Sequence, residues 1–508
     1  MHAPYPDRLR WALIVVPAML ATTMVAVDVT IANVALPHMQ SSLSASQDQI
    51  VWVLTSYIVA SAIATPLSGW LASRYGRKLV MVVSVAGFTL ASALCGAAAD
   101  LPTMVVARLC QGACGAALVP LSQATLLDIT PPEGLGKAMA IFSIGSMVGP
   151  IVGPTLGGWL TDTLSWRWVF FINVPVGVLS MVGLLAFMTE NRGADPPRFD
   201  TFGFGFVSIA LGSMQLMLDR GEQLDWFSSG EIQLYAAIFA LATWIAVVHH
   251  ATARDTFLKP GLFRDRNFAI GSAISATIGI VTFASLPLLT VMTQSLLGYS
   301  AFHTGIVGIP RVLGSVVAMI IVTRLVSRID SRTILITGLA MNGLSMALYA
   351  MIDLGVDERA IVLIGLVQGF STGLLFVPLS LIVFSTLPNT LRNEGAAMYA
   401  LTRNLGNAIG ISLLQREVIH TSAQSRSVLS EHVRPDSPIV QYARPDLDFA
   451  STEAMARMSA EIARQASMVG YIHVYWLTAI LSLAVLPLVL AMRSSRKSER
   501  PDPLVIVE

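Results

Sequence analysis

The sequence has few charged residues and few cysteines. Only 12% of its 508 residues are charged, whereas a typical soluble domain has about 25%. The net charge of +1 at pH 7 argues against a nucleic-acid partner. The three cysteines, Cys95, Cys110 and Cys114, all lie inside apolar runs, which excludes a framework of loop disulfides. A role as small apolar packing residues is favoured for them over a metal or redox role.

The sequence also lacks the motifs of an ATP-driven or catalytic site. The nearest approach to a phosphate-binding G-x-x-x-x-G-K-[ST] loop is Gly134-Leu135-Gly136-Lys137, which continues into Ala138. No cluster of metal ligands and no nucleophile–base pair occurs in the apolar runs. Neither an enzyme nor a bound cofactor is therefore expected, and an ion or substrate gradient is the energy source that remains.

Long apolar runs dominate the chain. Hydrophobic residues make up 54% of it, and a helix of about 20 apolar residues crosses a bilayer. The basic stretch 1–10 leads into a run too long for a signal-peptide core, so the first helix is expected to stay in the protein. We predict an all-α membrane protein with fourteen transmembrane helices, at about residues 11–36, 49–71, 79–99, 102–127, 137–161, 167–189, 200–218, 232–251, 268–294, 303–326, 333–352, 360–386, 395–419 and 470–492.

The positive charges predict the orientation of these helices. Most lysines and arginines lie on the side of the N-terminus, whereas the short loops of the other side hold only Arg167, Arg220 and Arg359. By the positive-inside rule, both termini are predicted to be cytoplasmic, in the inner membrane. The one long outer loop, 420–469, is polar and ends in a helix-like run. Such a loop is typical either of a docking element or of a poorly ordered segment.

An internal repeat divides the chain into two halves. Gln111-Gly112 followed by Pro120-Leu121-Ser122 recurs as Gln368-Gly369 followed by Pro378-Leu379-Ser380, about 257 residues later. Many secondary transporters consist of two related halves around a site at the middle of the membrane. The predicted organisation is a cytoplasmic N-terminus at 1–10, a six-helix bundle at 11–199, two inserted helices at 200–251, a second six-helix bundle at 252–492 that includes the outer loop, and a cytoplasmic tail at 493–508.

Asp28 is the one carboxylate in the first apolar run. An ionised Asp at the centre of a helix costs about 2.5–3.5 kcal/mol to insert. At 1.5 Å per residue, Asp28 and Arg108 lie at similar depths, roughly 10–12 Å from the outer side, and are expected to meet. The pair is either structural or a proton-coupling pair, in which displacement of the guanidinium lets Asp28 take a proton. Further candidates for a substrate cavity are Asn33, Gln111, Arg311 and Arg403.

The basic stretch from Gly69 to Lys78 joins the second and third helices. A turn anchored to anionic lipid is the simpler interpretation, and a latch that reaches neighbouring helix ends is the functional one. The spacing resembles the G-x-L-a-D-r-x-G-r-k loop of the major facilitator superfamily, with matching residues Gly69, Arg74, Gly76, Arg77 and Lys78. Ser73 stands where the family has an Asp that helps to hold one state closed, so the resemblance implies a weaker latch here.

Glycine and proline recur every four residues along the fifth run. The residues are Gly145, Gly149, Pro150, Gly153, Pro154, Gly157 and Gly158. Small residues at this spacing let a neighbouring backbone approach closely, and the prolines remove backbone donors and kink the helix. A packed face is one interpretation. The pattern also resembles the antiporter motif of exporters in the superfamily, which implies the direction of transport.

Two further segments narrow the resemblance. The stretches 28–37 and 166–177 are similar to those of the fourteen-span drug:H+ antiporters of the EmrB/QacA kind, and Leu218-Asp219-Arg220-Gly221 to the EmrB branch. The family implies proton-coupled export of amphipathic compounds by alternating access, with a periplasmic adaptor and an outer-membrane channel as partners. An exporter of one metabolite, such as a siderophore, is the alternative, with Arg311 and Arg403 binding an anionic group. A membrane receptor or assembly scaffold without transport activity is a more remote alternative than either exporter.

Overall fold

The structure, a computed structural model, describes residues 6–190, 199–253, 256, 261–326, 328–388, 391–433 and 451–493. These residues form helices and no strand. Helices occupy all fourteen predicted stretches: α1 Arg8–Ser42, α2 Trp52–Tyr75, α3 Arg77–Ala97, α4 Leu101–Ile129, α5 Leu135–Thr163, α6 Trp168–Phe187, α7 Thr201–Arg220, α8 Gly230–Thr252, α9 Arg266–Ser295, α10 Ala301–Leu325, α11 Ser331–Tyr349, α12 Glu358–Ser385, α13 Arg392–His432 and α14 Thr452–Ala484.

Eleven of these helices are long and apolar enough to cross a membrane within the described part of the chain. The chain is therefore a multi-pass membrane protein. The three others are α5, α11 and α13. Helix α11 contains Arg332 and Asn342, and α13 has a polar second half. The count of fourteen spans stays a prediction.

Two bundles form the body of the protein. In the first, α1 packs against α5 and α6, and α2 packs against α4. In the second, α10 and α11 pack against α12, and α13 packs against α9 and α14. The two inserted helices pack on each other, and α7 also contacts α2. The bundles meet where α5 contacts α10 and where α2 contacts α13. Helix α5, which carries the glycine motif, and α2, which leads into the basic loop, therefore lie where the bundles meet.

The predicted outer loop is mostly helical where the structure describes it. Helix α13 continues to His432 instead of ending near 419, and α14 begins at Thr452. No glycine or proline stands between Gly410 and Pro435, so nothing in the sequence stops the helix. Arg426 Nη2 donates to Ser459 Oγ over 3.4 Å between the two extensions. The remainder of that loop, at 434–450, lies outside the described residues, as do the predicted terminal segments at 1–5 and 494–508.

Candidate functional site

Asp28 lies on α1 with no exposed surface, and its carboxylate accepts three hydrogen bonds. Arg108 Nη1 donates to Oδ2 over 2.6 Å. Gln111 Nε2 and Asn173 Nδ2 each donate to Oδ1 over 2.8 Å. Because the donors come from α4 and α6, the carboxylate joins three helices of the first bundle.

Arg108 is 1% exposed and is held on every side. Its Nε donates to the carbonyl of Val53 over 3.0 Å, and Nη1 also donates to Gln111 Oε1 over 2.8 Å. The guanidinium carbon lies 4.3 Å from the centre of the Tyr57 ring, a cation–π contact. Removal of one partner of a buried ion pair typically costs about 3–5 kcal/mol, because the other charge is left uncompensated. The ion pair is therefore enclosed by the described side chains around it.

Small polar groups around this cluster form hydrogen bonds with its members. Asn173 Nδ2 also donates to Ser92 Oγ over 3.0 Å, and Ser92 donates to the carbonyl of Phe170 over 2.9 Å. Cys95 Sγ donates to Gln111 Oε1 over 3.5 Å.

At the start of α4, the side chain of Asp100 accepts from the Thr103 N–H over 2.8 Å, and this hydrogen bond lowers the pKa of Asp100. The start of the helix that carries Arg108 is therefore capped.

The glycine face of α5 packs directly on α1 beside Asp28. A Cβ at Gly149 would overlap the carbonyl of Ala26, and one at Gly153 would overlap Thr30 Oγ1. Thr30 Oγ1 donates to the carbonyl of Gly149 over 2.9 Å. Gly158, by contrast, has nothing within 4 Å of the position of a Cβ. The spacing of the motif thus lets the α5 backbone lie against the turns of α1 that flank the acid.

The loop between α2 and α3 contacts both bundles at the end where α1 begins, which we call the N-terminal face. Arg77 Nη2 donates to Asp128 Oδ2 and to Asn393 Oδ1, each over 2.6 Å. Arg392 Nη1 donates to the other oxygen of Asp128 over 2.8 Å. A Cβ at Gly69 would lie 2.9 Å from the Cα of Glu394. The two bundles are therefore joined at this face by a network around Asp128.

Ser73 takes part in the same junction. Its hydroxyl donates to Glu394 Oε1 of α13 over 3.1 Å. A carboxylate is thus present at this contact, but it belongs to the first turn of α13 instead of the loop. A negative charge in the first turn of a helix is stabilised by the helix dipole. The substitution at the family's Asp position keeps a polar contact between the bundles.

The other residues of the basic loop have separate roles. Gly76 has φ +90°, a left-handed conformation that favours glycine, and its Cβ would overlap the carboxylate of Glu190. Lys78 Nζ donates to the carbonyl of Leu185 over 2.7 Å and ties α3 to the end of α6. Arg74 is exposed. Arg77 is thus the member of the motif that reaches an acid.

Three of the predicted cavity residues lie apart from the Asp28 cluster. Asn33 is exposed on α1 and donates to the carbonyl of Val29, one turn earlier on the same helix. Arg311 is buried in α10 of the second bundle. Arg403 is half-buried on α13, where its carbonyl faces Gly279 of α9. Of the four candidates, only Gln111 contacts Asp28.

Sequence reasoning missed several residues of the two networks. Asn173 lies in the stretch 166–177, and the signal for its role was an amide inside an apolar run. Ser92 gives no such signal, because serine is common in membrane helices. Asp128 and Glu394 flank the repeated segments and stand at helix ends, where an acid is usually solvated. The roles of Asp128 and Glu394 are evident only from the tertiary contacts.

The comparisons with known proteins place the chain in a family. The sequence model of the Major Facilitator Superfamily matches residues 18–411. The multidrug export protein EmrB of Haemophilus influenzae is 32% identical over 473 residues, which cover 92% of each chain. EmrB of Escherichia coli K12 is 32% identical over 475 residues, 92% of this chain and 93% of that protein. The fatty acid resistance protein FarB of Neisseria gonorrhoeae is 30% identical over 484 residues, 92% and 94% of the two chains.

Solved structures show the same fold. The human organic anion transporter MFSD10 (TETRAN) superposes with a TM-score of 0.59 at 13% identity, over 94% of this chain and 100% of that one. The proton:xylose symporter XylE superposes with a TM-score of 0.56 at 14% identity, over 94% and 95%. The relatives found by sequence are transporters of the superfamily and not enzymes. The chain belongs to the Major Facilitator Superfamily, in its EmrB-type group of membrane transporters.

Proposed function

We propose that this protein exports amphipathic, drug-like compounds in exchange for protons. The observation that carries the proposal is the buried carboxylate of Asp28, bound by Arg108 and packed against the glycine face of α5. An intramembrane acid beside a guanidinium has two states that differ by one proton, the ion pair and the protonated acid separated from the guanidinium. The names of the EmrB relatives, multidrug export proteins, support the same class of substrate.

In this mechanism Asp28 carries the proton. In the closed cluster, the carboxylate of Asp28 accepts hydrogen bonds from Arg108, Gln111 and Asn173. Movement of α1 along α5 separates Asp28 from Arg108 and opens a path to one side of the membrane, where the acid takes a proton. Return of the guanidinium after the bundles rock expels that proton on the other side. Gly149 and Gly153 have no side chain toward α1, so such a movement meets no Cβ of α5 at these two positions.

The proposed orientation places the N-terminal face in the cytoplasm. The network of Arg77, Asp128, Arg392 and Asn393 would then close the cytoplasmic side, and each transport cycle would break it. Asp128 is 24% exposed, so its ion pairs are partly screened and can open at a modest cost of about 1–2 kcal/mol. A network of this strength suits a contact that has to be broken repeatedly.

The extensions of α13 and α14 form the proposed contact surface for a periplasmic adaptor. They project from the face opposite the N-terminus, and Val428 on α13 is 55% exposed. Arg464 Nε donates to the carbonyl of Leu296, which ties α14 to the end of α9. Two helices packed on each other offer a defined docking surface. The outer-membrane channel would contact the adaptor.

A narrower function has one observation in its favour. The second bundle buries Arg311 at 7% exposure, and FarB, a relative, is a fatty acid resistance protein. An exporter dedicated to one anionic metabolite would use such a residue to bind its substrate. A panel of exported compounds distinguishes the two functions, because a dedicated exporter moves one compound and a multidrug exporter moves several unrelated ones.

The function is tested with the purified protein in proteoliposomes that contain a pH-sensitive dye. Addition of a cationic amphiphile such as ethidium is expected to move protons across the membrane opposite to the substrate. An imposed proton gradient is expected to drive ethidium against its own gradient. Ethidium transport at the same rate with and without a proton gradient would contradict the proposal.

A further inference from the structure

The second bundle contains a counterpart of the Asp28 cluster. Residues 257 positions after Asp28, Arg108 and Gln111 are Ser285, Gly365 and Gln368. The contacts follow the same relation, because Gln368 Nε2 donates to Ser285 Oγ over 3.1 Å as Gln111 Nε2 donates to Asp28. The repeat therefore places a serine where the first bundle has its carboxylate and a glycine where it has its arginine.

An arginine nevertheless lies in this layer, on a different helix. A Cβ at Gly369 would overlap the carbonyl of Arg311, just as one at Gly112 would overlap the carbonyl of Tyr57. Arg311 thus occupies the place of Tyr57, whose ring supports Arg108 in the first bundle. The second bundle therefore has a buried cation at this depth, and it has Ser285 in the place of the acid.

The guanidinium of Arg311 is only partly satisfied. Its Nη2 donates to the carbonyl of Thr282 over 3.1 Å, and Nη1 has no hydrogen-bond partner. Among the described residues, no acidic side chain forms an ion pair with it. A buried charge without a counter-charge is strongly destabilising in a membrane protein. A group that is absent from the protein chain therefore has a reason to bind here.

Further unpaired hydroxyl groups accompany Arg311. The rings of Tyr349 and Tyr475 stack with centroids 5.3 Å apart, and both lie within electrostatic range of Arg311. Both phenolic oxygens are buried without a partner, as is Thr282 Oγ1. Tyr349 stands 257 residues after Ser92, which belongs to the first cluster. The site therefore combines a cation with hydroxyl donors, which is the chemistry that binds an anion.

We propose that Arg311, Tyr349 and Tyr475 form a binding site for a singly charged anionic group. The group is either the carboxylate of a transported amphiphile or a free halide. The first source rests on the proposed export function, whereas the second does not. A buried water could satisfy the hydrogen bonds but not the charge of the guanidinium. An anion satisfies both.

The test measures the unfolding midpoint of the purified full-length protein in detergent at constant ionic strength. Sodium gluconate, a bulky polyhydroxylated carboxylate, serves as the reference salt and is replaced stepwise by chloride, by acetate or by hexanoate. An anion that binds the folded state raises the midpoint in a saturable way, by about 2 °C at concentrations well above its dissociation constant. Arg311→Gln is expected to abolish this rise, and Tyr475→Phe to reduce it.

Two variants keep the result interpretable. Arg311→Gln removes an uncompensated charge, so its midpoint in gluconate is expected to equal or exceed that of the wild type. Arg167→Gln removes a half-buried arginine of the opposite bundle, and it should respond to anions as the wild type does. A rise with chloride identifies a halide site, and a rise with acetate and hexanoate alone identifies a carboxylate site. Equal responses of wild type and Arg311→Gln would overturn the proposal.

Failure of this inference is distinct from failure of the proposed function. Proton flux driven by ethidium, a cation, reports the export function, and the anion-dependent midpoint reports the Arg311 site. If the flux is absent and the anion response is present, the export function fails and the halide or carboxylate site stands. If the flux is present and the anion response is absent, the site fails alone.

Discussion

The hydroxyl of Ser73 donates to Glu394 Oε1 across the two bundles, over 3.1 Å. The pair joins the loop after α2 to the first turn of α13, positions that lie 321 residues apart in the chain. A neutral donor is what this position requires, because the acid is already supplied by Glu394. The departure from the family's Asp is therefore compensated by the contact.

Ser73→Asp is expected to open the N-terminal face. Two carboxylates at hydrogen-bond distance repel each other, and at this partly exposed position the repulsion is about 1 kcal/mol. The opening is measured as the alkylation rate of Ser380→Cys, whose native hydroxyl accepts from Gln123 between the bundles, in a background without the native cysteines. We expect a several-fold faster rate. Ser73→Asn, which keeps a neutral donor, should alkylate at the wild-type rate, and a similar rate for the Asp variant would contradict this account of the contact.

Asp128→Asn is expected to open the same face more strongly. The substitution removes the charge that pairs with both Arg77 and Arg392, at a cost of about 1–2 kcal/mol. The same alkylation assay should show a rise of roughly tenfold. Glu133→Gln neutralises an exposed acid near the same face and serves as the control. Alkylation should be faster in Asp128→Asn than in Glu133→Gln. A general effect of charge would accelerate alkylation equally in both variants and would contradict this role of Asp128.

Gly149→Ala is expected to impair both stability and coupled efflux. The added methyl group would overlap the carbonyl of Ala26, and overpacking of this kind costs about 1–3 kcal/mol. The displaced α1 would also carry Asp28 away from its donors. Gly158→Ala is the matched control, because nothing lies within 4 Å of its Cβ position. A lower unfolding midpoint and weaker efflux for the first variant alone would support the packing role of the motif.

Asn173→Leu is expected to lower the unfolding midpoint. It removes one of the two donors to Asp28 Oδ1 and leaves Ser92 Oγ without its amide neighbour, and unsatisfied buried groups cost about 1–3 kcal/mol. Asn33→Leu makes the same chemical change on α1, where the amide bonds only within its own helix. That variant should unfold near the wild-type midpoint. Equal destabilisation of both would mean that Asn173 has no special part in the cluster.

The sequence was most informative where a rule of helical geometry applied. The rise per residue placed Asp28 and Arg108 at one depth, and the structure puts their side chains 2.6 Å apart. The four-residue spacing of Gly149 and Gly153 likewise predicted a face for close packing, and that face lies on α1. These features depend on one helix or on a depth along two helices, so local rules suffice.

Other features depend on contacts that local rules do not determine. Glu394 meets Ser73 only because two bundles associate, and Asn173 reaches Asp28 only because α6 packs beside α1. The extension of α13 to His432 was missed because a polar sequence was taken for a loop, although it contained no residue that ends a helix. Arg311 could be singled out as a buried charge, but its relation to the Asp28 cluster required the contacts of Gly369.

The most direct test of the account is proton movement by Asp28→Asn in proteoliposomes. Asparagine keeps the size of the side chain and cannot exchange a proton, so ethidium-driven proton flux is expected to fall to the level of empty vesicles. Asp162→Asn, an exposed acid near the end of α5, is expected to retain the wild-type flux. Wild-type flux with full dependence on the proton gradient in Asp28→Asn would contradict the account.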